Sequence, residues 1–365
     1  MKNQLFLSIF LISLFIVSCV KTETQKPFHF YVVTDVHMTK QRPDYTNWCF
    51  RDDILKDIKK DSLGLGKFVV VTGDMDPFSK TKESVEQVLG EDFRFYPVLG
   101  NHDVGYTNNR YALFPDANWQ NTFEIVKSNM TNLKNIVNYG PEYPTPALDS
   151  VTYQDSTTGK TYISTYDSGD TIGSKYTTYS FDEGNSHFVV LDIYSGLEFF
   201  EEKHSGRIYN ALYNWLEKDL SETKKENIFV FAHQPIWETG GENKTVLVNI
   251  DYKEHYLNIA KTKGIDSLRW FEEHYTSKIK SREDFWSLLS KNNVVAYFCG
   301  HTHHYSAKKF DGVWEVNLEI GAWEIEGRTR YGEILVDKNK VDLLVKGYIQ
   351  ETGGFKVIDK VSLKE

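Results

Sequence analysis

The stretch Phe28-His29-Phe30-Tyr31-Val32-Val33-Thr34-Asp35-Val36-His37 decides how this chain is to be read. From Phe28 to Thr34 it is nearly continuously apolar and rich in aromatic and β-branched residues, the signature of a strand buried on both faces. It then runs out into Asp35 and His37. Four more runs of the same kind follow. Phe68 to Thr72 leads into Gly73-Asp74, and Phe93 to Leu99 into Gly100-Asn101-His102-Asp103. Ile228 to Ala232 leads into His233-Gln234-Pro235, and Val294 to Cys299 into Gly300-His301-Thr302-His303-His304. Helical patterns lie between them, around Asp52 to Lys60, Lys80 to Leu89, Tyr209 to Leu220 and Arg282 to Lys291. Strands alternating with helices predict a layered α/β core. Open α/β sheets hold ligands at the carboxyl ends of their strands, so the five polar endings are expected to meet in one crevice.

Further strands are expected at Lys175 to Phe181 and His187 to Ile193, separated by the turn Asp182-Glu183-Gly184-Asn185, and at Val313 to Leu318, Gly332 to Val336 and Val341 to Gly347. No repeat, low-complexity block or long Pro/Ser linker divides the chain. The reading is therefore one domain over residues 28–350, with insertions near 104–166 and 239–279 and a C-terminal tail at 351–365. Loops that long have structure of their own or wall a site. With 42 Lys and Arg against 51 Asp and Glu, the net charge of −9 excludes a basic protein that tracks nucleic-acid phosphates.

Taken singly, each polar ending says little. A lone Asp-x-His is ordinarily surface polarity, and a lone buried histidine is ordinarily a hydrogen-bonded core residue. All five together, in order and each after an apolar strand, are a different matter. Asp35, His37, Asp74, Asn101, His233, His301 and His303 combine imidazole, carboxylate and amide donors without thiolate. That set suits Mn, Fe or Zn and disfavours a cysteine zinc knot or an all-oxygen calcium cage. Seven ligands exceed the needs of one ion but suit two divalent metal ions sharing Asp74 as a bridge. Asp35 and Asp74 bring two negative charges against at least four positive, so the loaded site stays cationic, favours a phosphate oxyanion and lowers the pKa of bound water.

These residues resemble the calcineurin-like metallophosphoesterase family, whose D-x-H, G-D, G-N-H-[DE], H and G-H-x-H pattern is met in order over residues 28–305. Tyr179-Ser180-Phe181 through Asp192, and Trp215-Leu216 through Pro235, look like the secreted branch that includes purple acid phosphatases and cyclic-nucleotide phosphodiesterase-like enzymes. The resemblance implies an α/β, two-sheet αββα sandwich of mixed sheets. It also implies that Asp35, His37, Asp74 and His303 hold one ion, and Asp74, Asn101, His233 and His301 the other. His102 would contact the phosphoryl group or protonate the leaving oxygen, with Asp103 orienting and charging its ring. The implied activity is hydrolysis of a small phosphomonoester or phosphodiester by metal-activated water. Two other readings stand beside it: a surface lipoprotein that binds a phosphorylated ligand without cleaving it, and a nuclease, which the acidic balance and export signal disfavour. In purple acid phosphatases a tyrosine follows the G-D aspartate by three residues; here that place is Pro77, with Asp76 one position earlier.

Ahead of the domain, Met1-Lys2-Asn3 and the apolar run Leu5 to Val17 form a secretory signal, too short for the roughly 20 residues of a membrane-spanning helix. Ile16-Val17-Ser18-Cys19 resembles the bacterial lipobox. Residues 1–18 are then expected to be removed, lipid on Cys19 to be the sole membrane attachment, and 19–27 to be a tether on an exported lipoprotein. Cys49 and Cys299 are expected as buried thiols. His304 is expected at the pocket edge, and His29, His187, His204, His255 and His274, lacking a motif, as structural or exposed. Tyr106, Tyr111, Trp119, Trp237 and Trp323 are aromatic candidates for flanking a substrate, though most aromatics in such a chain form core.

Overall fold

A computed structural model describes residues 26–38, 49–61, 64–75, 78–103, 126–141, 144–154, 161–173, 175–194, 208–237, 280–319, 329–338 and 340–365. Two mixed sheets face each other. The first is built on β1 (Phe28–Val33), β2 (Gly66–Thr72) and β3 (Arg94–Val98), which run parallel. On the other side of β1 it continues antiparallel through β13 (Arg330–Asp337), β14 (Lys340–Ile349) and β15 (Gly354–Lys364), in the order β15-β14-β13-β1-β2-β3.

The second sheet has the order β11-β12-β10-β9-β8-β7-β4. Its parallel centre is β8 (Ser186–Val190), β9 (Asn227–Phe231), β10 (Ala296–Cys299) and β12 (Val313–Leu318). Antiparallel flanks are β7 (Tyr179–Glu183), β4 (Ile136–Tyr139) and β11 (Tyr305–Phe310). Among the described residues, β5 (Pro144–Gln154) and β6 (Thr161–Gly173) pair only with each other.

The layer between the sheets is aromatic. Phe30 of β1 stacks on Phe68 at 5.2 Å and meets Phe188 and Phe229 of the opposite sheet edge-on, each also at 5.2 Å. Tyr96 lies flat on Phe181 at 3.7 Å, which joins β3 to β7 across the same gap. Helices cover the outer faces. On the first sheet, a π-helical turn (Cys49–Ile54) leads into α1 (Leu55–Lys59), where Asp57 accepts from the Tyr331 hydroxyl; α2 (Phe78–Leu89) connects β2 to β3. On the second sheet, Asp219 of α3 (Asn210–Glu222) accepts from Ser180 of β7, and Trp286 of α4 (Arg282–Lys291) packs on Tyr297 of β10. The expected αββα arrangement of mixed sheets is thus the one found.

Residues 351–365, read from the sequence as a tail, instead carry β15, which extends the first sheet as its edge strand. Of the expected insertion at 104–166, β4 joins the second sheet and β5 forms a separate ribbon with β6. The insertion at 239–279, the leader 1–18 and most of the tether lie outside the described residues. Cys299 is buried and Cys49 half-buried, and neither forms a disulfide.

Candidate metal centre

The parallel strands of both sheets end at one edge of the sandwich, and there the chain doubles back sharply. Asp35, His37, Asp74, His301 and His303 all have positive φ, between 43° and 69°. For residues with a Cβ this costs about 1–3 kcal/mol each, and such strain is retained where surrounding structure enforces it. The loops also lie very close together. A Cβ on Gly73 would strike the His233 ring, and one on Gly300 would strike Thr34 and the Asp35 carboxylate, so these motif glycines are steric requirements. Backbone bonds lace the loops: Asp35 donates its N–H to the Gly73 carbonyl (3.1 Å), His37 to that of Asp74 (2.8 Å), and Gly300 to that of His233 (2.8 Å).

Two groups of side chains result, and they share a member. Asp35, His37, Asp74 and His303 form one; Asp74, His233 and His301 form the other; within each, one ligand atom per residue lies within 4.8 Å of every other. His37 Nε2 is 3.2 Å from His303 Nε2 and 3.7 Å from Asp74 Oδ2, and His303 Nε2 is 3.1 Å from Asp35 Oδ1. In the second group His233 Nε2 is 3.3 Å from Asp74 Oδ2 and 3.3 Å from His301 Nδ1. Asn101 joins it, its Oδ1 lying 3.0 Å from His301 Nδ1 and 3.2 Å from His233 Nε2. The seven side chains expected to be ligands are therefore brought together, and all seven residues are buried.

The donor set fits divalent ions. Nitrogen and oxygen ligands about 2.0–2.2 Å from an ion stand about 3.0–3.4 Å apart along the edges of its coordination shell, close to the separations seen here. The His233 imidazole is also oriented. His233 Nδ1 faces the Thr72 carbonyl at 2.8 Å, which holds a proton on Nδ1 and leaves Nε2 as the nitrogen turned toward Asp74 and the cluster. Electrostatics point the same way. Burial pushes the Asp35 carboxyl up, but His303 and His233 outweigh it and hold the group below the usual carboxylate range. Asp74 is likewise lowered, burial being outweighed by His233, His102 and His37. Burial pulls the His233 imidazole down, yet Asp74, Asp35 and the Thr72 carbonyl push it up to about 9. The cluster is therefore built to hold positive charge.

His102 sits at the margin. Its ring packs edge-on against His37 at 4.8 Å, its Nε2 is 3.8 Å from Asp74 Oδ2, and its side chain keeps 19% exposure. Asp103, expected to orient that ring, has both oxygens engaged with backbone: Met75 donates to one at 2.9 Å and Gly100 to the other at 2.8 Å. It braces the loops that carry Asp74 and Asn101. Asp76 lies outside the described residues.

Residues 28–305 match the family model of the calcineurin-like phosphoesterases. The chain belongs to that family. Among solved structures it is similar to a dimetal phosphatase from Danio rerio, at 14% identity and TM-score 0.50, over 92% of this chain and 98% of that one. It is also similar to GAP50, the anchor in the inner membrane complex of Plasmodium, at 13% identity and TM-score 0.48, over 93% of this chain and 89% of that one. At such identities the likeness is one of fold. Compared by sequence with curated proteins, the chain finds no match.

Sequence reasoning missed the residues that hold this ligand cluster in place. Asn317 donates to the Gly300 carbonyl at 2.7 Å and to Thr302 Oγ1 at 2.8 Å, fixing the Gly300–His303 loop. Glu315 accepts from the backbone N–H of Ile236 at 2.7 Å and of Trp237 at 3.1 Å, and the Tyr297 hydroxyl donates to the Gln234 carbonyl at 2.6 Å; together these fix the His233 loop. All are interior positions of β10 and β12, where no motif marks them. Among the histidines without a motif, His29 pairs with Glu333 at 2.8 Å and His187 lies between Asp182 and Asp219. His304 is exposed. His204, His255 and His274 lie outside the described residues, as do Tyr106, Tyr111, Trp119 and Trp323. Trp237 is half-buried under the Arg282 guanidinium, 4.8 Å from its ring.

Proposed function

We propose that this chain is a metal-dependent phosphoric ester hydrolase acting on a small phosphomonoester or phosphodiester. The observation that carries this is Asp74, common to both ligand groups and so placed to join two ions in one site. In this reading Asp35, His37, Asp74 and His303 hold one ion, and Asp74, Asn101, His233 and His301 the other, the ions being Mn, Fe or Zn. When bound, two divalent ions supply positive charge to a phosphoryl group and acidify water near neutral pH. The residues supply the remainder. Two buried carboxylates leave a net positive charge in the loaded site, which selects an oxyanion. His102, at the margin and part-exposed, is the group that reaches the phosphoryl or leaving oxygen and delivers a proton there. Asp103 acts through the backbone by keeping Asp74 and Asn101 in register.

Purified protein reconstituted with Mn, Fe or Zn is expected to hydrolyse p-nitrophenyl phosphate or its bis-ester, and Asp74→Asn to abolish this. Absence of turnover with every metal and both esters overturns the proposal.

The same reading places the enzyme outside the cytoplasm. The apolar run Leu5 to Val17 and the Ile16-Val17-Ser18-Cys19 segment support export and lipid attachment at Cys19. Among the described residues no helix is long and apolar enough to cross a membrane. Cys19→Ser is expected to abolish palmitate labelling and move the protein from the membrane to the soluble fraction; an unchanged membrane fraction argues against the lipid.

A further inference from the structure

Tyr194 lies four residues beyond the end of β8, and His233 two residues beyond the end of its parallel neighbour β9, so both leave their strands at the site edge. Their ring centroids are 6.0 Å apart at a tilt of 55°. The backbone that presents Tyr194 is firmly held. Leu191 donates its N–H to the Phe231 carbonyl (2.9 Å), Asp192 donates to Thr178 Oγ1 (2.9 Å), and Tyr194 donates to the Asp192 carboxylate (2.9 Å). Tyr194 is 1% exposed, and its hydroxyl is enclosed with no hydrogen-bond partner among the described residues.

A buried donor without an acceptor is costly, so this phenol calls for an acceptor that arrives with a ligand. A phenol ordinarily ionises at about pH 10, so at neutral pH the group carries its proton and is a donor. Its ring stands beside that of His233, which puts the phenol at the edge of the ligand cluster. A cationic site beside a neutral O–H is a setting for an oxyanion.

We propose that the Tyr194 hydroxyl is a substrate-contacting group of this site, donating its hydrogen bond to a non-bridging oxygen of the bound phosphoryl group. This rests on the phosphoesterase reading above. Tyr194→Phe keeps the ring and its packing and removes only the donor, so the effect is read directly. In the metal-loaded full chain, Tyr194→Phe is expected to retain wild-type metal content while its inhibition by inorganic phosphate weakens about tenfold or more, with kcat/KM for p-nitrophenyl phosphate falling by a similar factor. An unchanged phosphate inhibition constant overturns the inference, whether or not turnover falls. Lost metal also overturns it, by assigning the phenol to the ligand cluster. If the variant fails to fold, 3-fluorotyrosine at position 194 carries the test: a more acidic phenol of nearly equal size tightens phosphate binding if the inference holds and leaves it unchanged if it does not. A wild-type protein that neither binds phosphate nor cleaves esters removes the parent reading and this inference together. A wild type that does both, beside a Phe variant that matches it, removes this inference alone.

Discussion

At the scale of single residues, position distinguishes the ligands from the groups expected to act on the substrate. Asp35 and Asp74 are buried carboxylates enclosed by imidazoles, whereas His102 keeps part of its ring in solvent while its backbone N–H donates to Asp74 Oδ1 at 3.0 Å. A side chain that only borders the cluster can be removed without emptying it. His102→Ala is expected to retain both ions by elemental analysis while kcat for a phenyl phosphate falls by about 10²–10⁴, the usual contribution of a positioned proton donor. Replacing the leaving group by one that needs no proton should shrink that loss. If the variant instead loses metal, His102 is a ligand and the proton-donor role fails. The residue scale is also where the sequence was least informative about support. Glu315 and Asn317 sit in Val313–Leu318, a run read from sequence simply as a strand, and only the fold reveals that their polar atoms face the loops of the site.

At the scale of elements, a second buried polar cluster ties β7, β8, β4 and α3 together away from the metal centre. His187 of β8 bonds Asp182 at 2.7 Å and Asp219 at 2.8 Å, and Asp219 also accepts from Asn138 of β4 at 2.6 Å and Ser180 of β7 at 2.9 Å. Burial pulls the His187 imidazole down, but the hydrogen bonds and charges of the two aspartates push it up to about 9 from the ordinary 6.5. A raised histidine pKa means that the folded state holds the proton more tightly than the unfolded chain. The resulting stabilisation is complete below about pH 6.5 and is lost as pH rises through about 9, amounting to about 3 kcal/mol at most. Urea unfolding at intervals from pH 6 to pH 9 is expected to show stability declining with pH, and His187→Gln to flatten that slope. A variant with the wild-type slope would assign the decline to other groups. Elements also show what the sequence made legible. Strands buried on both faces carry continuous apolar runs: β1, β3 and β10 fall within the runs read from sequence, and β2 and β9 overlap theirs, starting two residues and one residue earlier. β15 is mostly exposed and interleaves Lys356, Asp359, Lys360 and Lys364 with its apolar residues, so nothing in its composition separates it from a tail. Its place is set by backbone pairing to β14.

At the scale of the whole molecule, the ligand cluster spans the two sheets. Asp35, His37, Asp74 and Asn101 leave the carboxyl ends of β1, β2 and β3 in the first sheet, and His233, His301 and His303 leave those of β9 and β10 in the second. This convergence was readable from the motifs, because a parallel strand in an open sheet has only one end at which to place a site. The interlocking of Phe30 with Phe188 and Phe229 was not, since apolar runs do not state which sheet they face. Ions held by residues from both sheets bind the folded chain and not the unfolded one, so they stabilise it by mass action, about 2.7 kcal/mol for each site at a free concentration 100 times its Kd. Thermal unfolding monitored with and without Mn or Zn is therefore expected to show a rise of several degrees on loading and its reversal by EDTA. The ligand grouping gives this rise an internal control. His37 belongs to one group, His301 to the other and Asp74 to both. His37→Ala and His301→Ala are each expected to lose part of the increment, and Asp74→Asn nearly all of it, although it is the smallest of the three changes in size. Equal increments in the three variants would mean that the stabilising ions bind elsewhere, and the two-ion arrangement would have to be abandoned even if the fold were correct in every strand.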